Sequence, residues 1–442
     1  MGAALFFKSI ILYNCSVMPH PVKKEITIIV PSHSNPILQV LIRLVFGRRL
    51  TFSLLILAGL VPPEYKVRIF NQRIFWRDSD FTKDSLVGIS CSTVNAIRSY
   101  ALADRCRRAG AYVVMGGAHV SAFPEEALQH CDSVVVDEAE SVWPEIIRDF
   151  ENRSLKPIYH GQPQMDFFSA VYPYFLKLPA KTLLQVGLMT SRGCKYRCEF
   201  CVQPMERLRM VKMEQILSLV RRIKEKYNNP LIPFWDDNIY SNPTYAKELF
   251  RALIPLKVRW VANTSIDIAW DEEALRLAQE SGCEQFFIGF DVVHPTHLPK
   301  TSVQQMSSLD DYLEPIQRIH QHKIRIVGAF ILGFDEDTHR DYLHLLIFLF
   351  KAKIFLISLT LLTPFPQTAL YKKMKQENRI TTFDWRKYHT FGLVHKPKKM
   401  SVAGALTWYW AFRLITGFLG TGPQRPLLMM VFLIALQLLG GF

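Results

Sequence analysis

A chain of 442 residues exceeds what one hydrophobic core normally organises, so two or three domains are expected. Apolar residues make up 49% and charged residues 21%, with no low-complexity tract or repeat, which excludes a disordered or fibrous protein. The net charge of +14 is spread along the chain in short clusters such as Lys396-Pro397-Lys398-Lys399; with no long basic run, nucleic acid is disfavoured as a partner, while anionic substrates and lipids stay open.

The first 17 residues are apolar apart from Lys8, and no small-residue cleavage site follows. They read as an untidy start rather than a secretion signal, with Met18 as an alternative start to Met1. From Ile26 the chain alternates strand and helix. Ile26–Val30, Tyr65–Phe70, Leu86–Ser90, Ala111–Met115 and Ser133–Val136 are apolar runs bounded by turn residues. A helix spans Ala96–Ala109, stopped by Gly110, and another starts near Pro124. This βαβ rhythm predicts a doubly wound, Rossmann-like parallel sheet. Ligands of such sheets bind beyond the carboxyl ends of the strands, here Ser32, Ser90–Thr93, Gly116-Gly117-Ala118-His119 and Asp137-Glu138.

A polar, proline-containing stretch, Asn152–Pro173, reads as a linker. A second βα series follows, with candidate strands Leu184–Thr190, Leu231–Trp235, Val258–Asn263, Gln285–Phe290, Ile324–Leu332 and Ile354–Leu362. Helical patterns between them include Met213–Tyr227 and Asp271–Ser281. Six strands with intervening helices predict a partial (β/α)6 TIM-like barrel, whose chemistry sits at the carboxyl ends. Past Pro397 the rhythm gives way to a helical, aromatic extension. Pro426–Phe442 is uncharged but shorter than the ~20 residues of a spanning helix; it is read as a segment in contact with a membrane, a partner or the protein itself. The expected domains are therefore residues 1–155, a linker at 156–183, a barrel at 184–396 and the extension at 397–442, an α/β architecture throughout.

Of eight cysteines, Cys15, Cys91, Cys106, Cys131 and Cys283 are scattered, which is not a disulfide framework. Cys194, Cys198 and Cys201 fall together in Thr190-Ser191-Arg192-Gly193-Cys194-Lys195-Tyr196-Arg197-Cys198-Glu199-Phe200-Cys201, directly after a strand. Three thiolates on one loop can hold three irons of a 4Fe–4S cluster and leave the fourth open for chemistry. Two other readings are a structural zinc site, which needs a fourth ligand such as Cys283, and three unrelated buried thiols.

The spacing of the three cysteines, with Phe200 before the last, resembles the signature of the radical S-adenosylmethionine superfamily. The resemblance implies that the open iron chelates S-adenosylmethionine and that the reduced cluster cleaves it to a 5′-deoxyadenosyl radical. It also implies a one-electron donor such as flavodoxin or ferredoxin. Asp236-Asp237-Asn238 stands where the family has a methionyl-binding Gly-Gly-Glu element; a helix cap or turn is the competing reading. Gly289-Phe290-Asp291 resembles a Gly-Phe-Glu element, so Phe200, Asp236, Asp237, Asn238 and Asp291 are candidate cofactor contacts. The segments Gly328–Gly333 and Thr363–Thr368 resemble later strand ends, each with family residues replaced.

The first domain is similar to the cobalamin-binding domain of one branch of the superfamily, through Val87–Ser90, Met115–Ser121, Pro124–Ala127 and Asp137-Glu138-Ala139-Glu140. This implies Ser90, Gly116, Gly117 and His119 as cobalamin contacts and methyl transfer to an unactivated centre. His119 is not in an Asp-x-His-x-x-Gly motif, so the resemblance requires no axial histidine. The usual Gly-Glu-Gly-Glu has become Asp-Glu-Ala-Glu, which makes a purely structural domain the competing reading. The segment Tyr371–Met400 resembles the extension of radical enzymes that include hopanoid methylases, which implies a small or lipid-like substrate. A cytoplasmic, membrane-associated protein is the matching location. The alternatives are a tRNA-modifying methylthiotransferase and a non-catalytic cluster or zinc scaffold.

Overall fold

The computed structural model describes residues 25–32, 52–73, 75–163, 187–202, 208–228, 230–291, 306 and 308–419. The apolar start, the Met1/Met18 choice, residues 184–186 and the uncharged stretch 426–442 lie outside the described residues. The chain divides into two units, residues 1–186 and 187–442.

The first unit is a wholly parallel six-stranded sheet. Its strands are β1 (Glu25–Pro31), β2 (Lys66–Arg73), β3 (Leu86–Ser90), β4 (Tyr112–Gly116), β5 (Ser133–Val136) and β6 (Ile158–His160), in the order β2-β1-β3-β4-β5-β6. Uninterrupted apolar runs suit strands buried on both faces: Ile26, Ile28, Ile29, Leu86, Val87, Val113, Val114 and Met115 are at most 2% exposed. The helices Phe52–Gly59 and Trp143–Glu151 form one core with the sheet through Leu54, Ala58, Trp143, Ile146 and Phe150. Helix Ala96–Arg108 contacts β3 and β4. The order reverses between β1 and β3, and the crevice at such a switch point is where these sheets bind ligands.

The sixth strand falls inside the stretch read as a linker. Only Tyr159 of its three residues is buried, so it has no periodicity to read. It pairs with β5 through Val134–Ile158 to Val136–His160.

The second unit carries a parallel sheet of β9 (Leu231–Phe234), β10 (Arg259–Thr264), β11 (Cys283–Asp291), β12 (Arg325–Leu332) and β13 (Leu356–Leu361), in strictly sequential order. Leu188 forms a parallel bridge to Phe234 and takes the sixth place beside β9. Trp235 N donates to its carbonyl at 2.7 Å and its own N donates to Pro233 at 2.8 Å. The strand expected over Leu184–Thr190 is thus reduced to this one bridge among the described residues. After it the chain turns into a short antiparallel ribbon, β7 (Ser191–Arg192) with β8 (Arg209–Met210). Helices Met213–Tyr227, Pro243–Leu253, Glu272–Glu280, Leu313–Gln321 and His339–Lys351 connect the strands, as an open (β/α) barrel requires. The C-terminal helix, Val402–Leu419, packs on β13 and on helix His339–Lys351. No helix among the described residues is long and apolar enough to cross a membrane.

Candidate functional site

The cysteine loop leaves the sheet beside β9, and buried carboxylates bind its base. Asp236, at the carboxyl end of β9, is fully buried. Its Oδ1 accepts from Thr190 N (2.9 Å), Thr190 Oγ1 (2.7 Å) and Ser191 Oγ (2.6 Å). Burial pushes its pKa up to about 6, although these hydrogen bonds pull the other way. Asp237 Oδ2 accepts from Gly193 N at 3.2 Å. Its pKa is raised by burial, opposed by the Gly193 hydrogen bond and by Arg192. Gly193 has φ +87°, a left-handed conformation that turns the chain into Cys194. Across the ribbon, Val211 N donates to Thr190 O at 2.9 Å and closes the base of the loop.

Two more strand ends hold the loop. Past β10, Asp267 accepts from Tyr196 Oη at 2.9 Å and pairs with Lys195 Nζ. Lys195 lies over the rings of Tyr196 and Tyr240 at 5.1 and 5.3 Å. Burial, then Asp267, raise the Tyr196 pKa well above its usual value, so it stays a neutral donor. Near β12 and β13, Phe200 meets Phe334 edge to face at 5.8 Å and packs on Leu362, Leu370 and Met374. Leu370 N donates to Glu199 O at 3.0 Å.

Both oxygens of Asp236 accept from the base of the loop, which the carboxylate braces. Phe200 is an anchor on the apolar cluster. Asn238 joins two strand ends: Oδ1 accepts from Tyr240 N at 3.0 Å and Nδ2 donates to Ser265 Oγ at 2.9 Å. Asp267 and Ser265, which brace the loop from β10, went unread in the sequence; polar residues just beyond an apolar strand were the available signal.

Asp291 stands apart. It ends β11 at φ +60° after a bulge, and no donor among the described residues reaches its carboxylate. Burial alone pushes its pKa up to about 6. A desolvated carboxylate at the carboxyl end of a central strand fits a cationic or hydroxyl-bearing ligand.

The cysteines differ in accessibility. Cys194 and Cys198 are half-buried and Cys201 is exposed. Cys91, Cys106 and Cys131 are buried, with pKa values raised to about 12 chiefly by burial, and buried Cys283 is raised well above the usual thiol range. Thiolate is the ligating form, so these four are poor ligands and, among the described residues, the loop trio is the set of cysteines that suits a metal. No three His, Cys, Asp or Glu side chains among the described residues gather to hold a single ion. A cubane places its irons on separate corners, so its thiolates stand farther apart than the ligands of one ion.

In the first unit, the ends of β1, β3 and β4 form a polar floor. Asn95 accepts from Ser92 N at 2.9 Å and donates to Pro31 O at 3.3 Å, joining β3 to β1. Ser90 is half-buried at the end of β3. Cys91 N donates to Gly116 O (2.8 Å), and His119 N donates to Cys91 O (3.2 Å). Gly117 has φ +103°, and a Cβ there would lie 2.7 Å from Cys91 O. His119 is wholly buried, with Nδ1 3.3 Å from Thr93 Oγ1 and Nε2 3.5 Å from Glu126, between the rings of Tyr100 and Phe123. Burial lowers its pKa, which Glu126 opposes. Its ring is enclosed by these four side chains. Ser32 is buried after β1, and its Oγ has no partner among the described residues. Asp137 adopts φ +67°, so the turn keeps a left-handed residue where the resemblance expects glycine.

The sequence profile of the Radical SAM superfamily matches residues 188–349. The chain is 33% identical over 331 residues to the bacteriochlorophyllide d C-12(1)-methyltransferase of Chlorobaculum tepidum, covering 73% of this chain and 72% of that one. It is 26% identical over 351 residues to the hopanoid C-2 methylase of Rhodopseudomonas palustris, covering 76% and 66%. Among solved structures it resembles the radical S-adenosylmethionine methyltransferase TsrM from Kitasatospora setae, with cobalamin and a [4Fe-4S] cluster bound, at TM-score 0.61, 14% identity and 80% and 75% coverage. It also resembles the cobalamin-dependent S-adenosylmethionine radical enzyme OxsB at TM-score 0.64, 13% identity and 94% and 71% coverage. At these identities the two structures bear on the fold.

Proposed function

The chain belongs to the radical SAM superfamily, and from that premise we propose that it is a cobalamin-dependent methyltransferase acting on an unactivated carbon of a lipid-like molecule. The carrying observation is the loop of Cys194, Cys198 and Cys201, braced at three strand ends by Asp236 and Asp237, by Asp267, and by Phe200. Preorganised ligands on rigid elements are what a cluster needs for a fixed open iron.

When bound, the cluster and S-adenosylmethionine supply a 5′-deoxyadenosyl radical, and cobalamin carries the methyl group. The protein's own part is positional. Asp236 and Asp237 fix the backbone from Thr190 to Gly193 and so the direction of the three thiolates. Lys195, held over Tyr196 and Tyr240, places a cation beside an anionic cluster loop. Asp291 is the carboxylate proposed to receive S-adenosylmethionine. In the first unit the Ser32 Oγ, without a partner among the described residues, and the half-buried Gly116-Gly117 turn fit cobalamin near the switch point between β1 and β3. The hopanoid-methylating relative supports the lipid-like class. An electron donor of the flavodoxin or ferredoxin type completes the reaction. A reducing cytoplasm suits the oxygen-labile cluster and the free buried thiols.

Anaerobic purification with hydroxocobalamin, S-adenosylmethionine and dithionite tests this. The expected result is about four irons and about one cobalamin per chain, with 5′-deoxyadenosine formed. Alanine at Cys194, Cys198 or Cys201 should abolish iron loading and 5′-deoxyadenosine together. Persistence of both in all three variants ends the cluster assignment. Full iron loading with no retained cobalamin ends the methyl-transfer assignment alone.

A further inference from the structure

The C-terminal helix, Val402–Leu419, packs against the second unit through Ala405, Trp408, Tyr409, Phe412 and Ile415, an i, i+3, i+4, i+7 stripe. Trp408 and Phe412 meet Tyr342 at 6.0 and 6.3 Å, and Trp408 Nε1 donates to His339 Nδ1 at 2.8 Å. The opposite face, Ala403, Thr407, Trp410 and Leu414, is exposed and has no charge. Trp410 is 56% and Leu414 59% exposed. The helix's one cation, Arg413, is drawn aside: its Nε donates to Tyr409 Oη at 3.0 Å and its guanidinium lies 5.4 Å from the Phe391 ring. A solvent-facing helix ordinarily carries charge on that side.

We propose that this face lies on a lipid bilayer containing anionic lipids, with Trp410 and Leu414 sunk at the interface. Two further observations select a bilayer over other occupants. The sequence continues past the helix into Pro426–Phe442, 17 residues without a charge and preceded by Arg425, so apolar chain extends from the same end. The protein as a whole carries +14, and Lys396, just before the helix, is exposed, which complements anionic headgroups. A helix with a tryptophan at the edge of an uncharged face lies in the interface plane rather than spanning it. Phe355 and Leu356, at the start of edge strand β13 that this helix contacts, are also exposed and apolar. The inference does not depend on the methyl-transfer reading, because lipid binding needs no cofactor.

The test is flotation of the full chain with vesicles of phosphatidylcholine alone and of phosphatidylcholine with phosphatidylglycerol. The wild type should float with the anionic vesicles, less so in high salt, and its tryptophan emission should shift to the blue. The double variant W410E/L414E should lower partitioning about tenfold or more. Thr407→Glu, on the same stripe but with no apolar contact to lose, should lower it in the same direction and serves if the double variant misfolds. Failure of the wild type to float, or equal flotation of the variants, overturns the proposal. So does a wild-type dimer, dissociated by W410E/L414E, that binds no vesicles, since a second copy then covers the face. Quencher-protected tryptophan emission without vesicles, released by deleting 426–442, also overturns it, because the protein's own tail is then the occupant.

Discussion

The two parallel sheets solve the same problem at their carboxyl ends with different chemistry. In the second unit the strand ends present carboxylates, Asp236, Asp237, Asp267 and Asp291, and three of the four are engaged in holding the cysteine loop. In the first unit the ends of β1, β3 and β4 present neutral groups: Asn95, Ser90, Ser32, the Gly116-Gly117 turn and a buried His119. Carboxylates pull on many donors at once and so fix a loop that must aim three thiolates. Neutral groups and a glycine turn bring backbone close to a ligand without placing a charge there. The contrast separates a loop braced by carboxylates from a neutral floor with a glycine turn.

The comparison breaks first at Asp236. Asp236→Ala strands Thr190 N, Thr190 Oγ1 and Ser191 Oγ in a buried place, and should cost about 3–5 kcal/mol in chemical denaturation of the second unit. Iron loading should fall with it, while Asp236→Asn, which keeps one acceptor oxygen, should lose less. A cost under about 1 kcal/mol would mean that the loop is held elsewhere. The matching break in the first unit is Gly117→Ala. It meets both a φ of +103° and the Cys91 carbonyl, so about 2–4 kcal/mol is expected, read as a lower urea midpoint of that unit.

These two positions also mark what the sequence could and could not reveal. The alternation of apolar runs was enough to place every strand of the first sheet save one, because buried parallel strands need nothing else. Ile158–His160 escaped because an edge strand of three residues buries one side chain. The cysteine loop was plain from its spacing. The work of Asp236 was not, since an acid after a strand reads alike whether it faces a ligand or the neighbouring backbone. The burial of His119 is likewise invisible in the sequence, where a histidine in a Gly-Gly-Ala-His turn reads alike in a core and beside a ligand. Asp267 and Ser265 act across 70 residues of chain, and only the fold brings them to Tyr196 and Lys195.

A finer break concerns His119. His119→Phe should leave cobalamin stoichiometry unchanged, since the ring is enclosed by Thr93, Tyr100, Phe123 and Glu126. Its pKa is depressed by burial, so its contribution is present above about pH 6.5 and is lost as pH falls through that range. The wild type should therefore lose stability more steeply than the variant as pH falls below about 6.5. Loss of cobalamin in a variant that remains folded would restore the histidine as a ligand.

A further expected effect has the opposite sign. Asp291 has its pKa raised to about 6 by burial alone, so the folded protein holds a proton there that the unfolded chain releases nearer pH 4. Below about pH 4 the group is neutral in both states and costs nothing. As pH rises toward 6 the folded state must bury a charge, and above 6 the full penalty applies. Asp291→Asn removes the charge while tolerating the left-handed backbone at φ +60°. The variant should gain about 1–2 kcal/mol at pH 7.5 and nothing at pH 4, read from denaturant midpoints at the two pH values. Binding of S-adenosylmethionine to the reconstituted protein should weaken in the same variant. A gain in stability paired with a loss of cofactor affinity is what separates a carboxylate kept for a ligand from the braces beside it, whose removal costs stability outright. If Asp291→Asn destabilises at both pH values, Asp291 belongs with Asp236 as a structural group, and the second sheet keeps no free carboxylate for the cofactor.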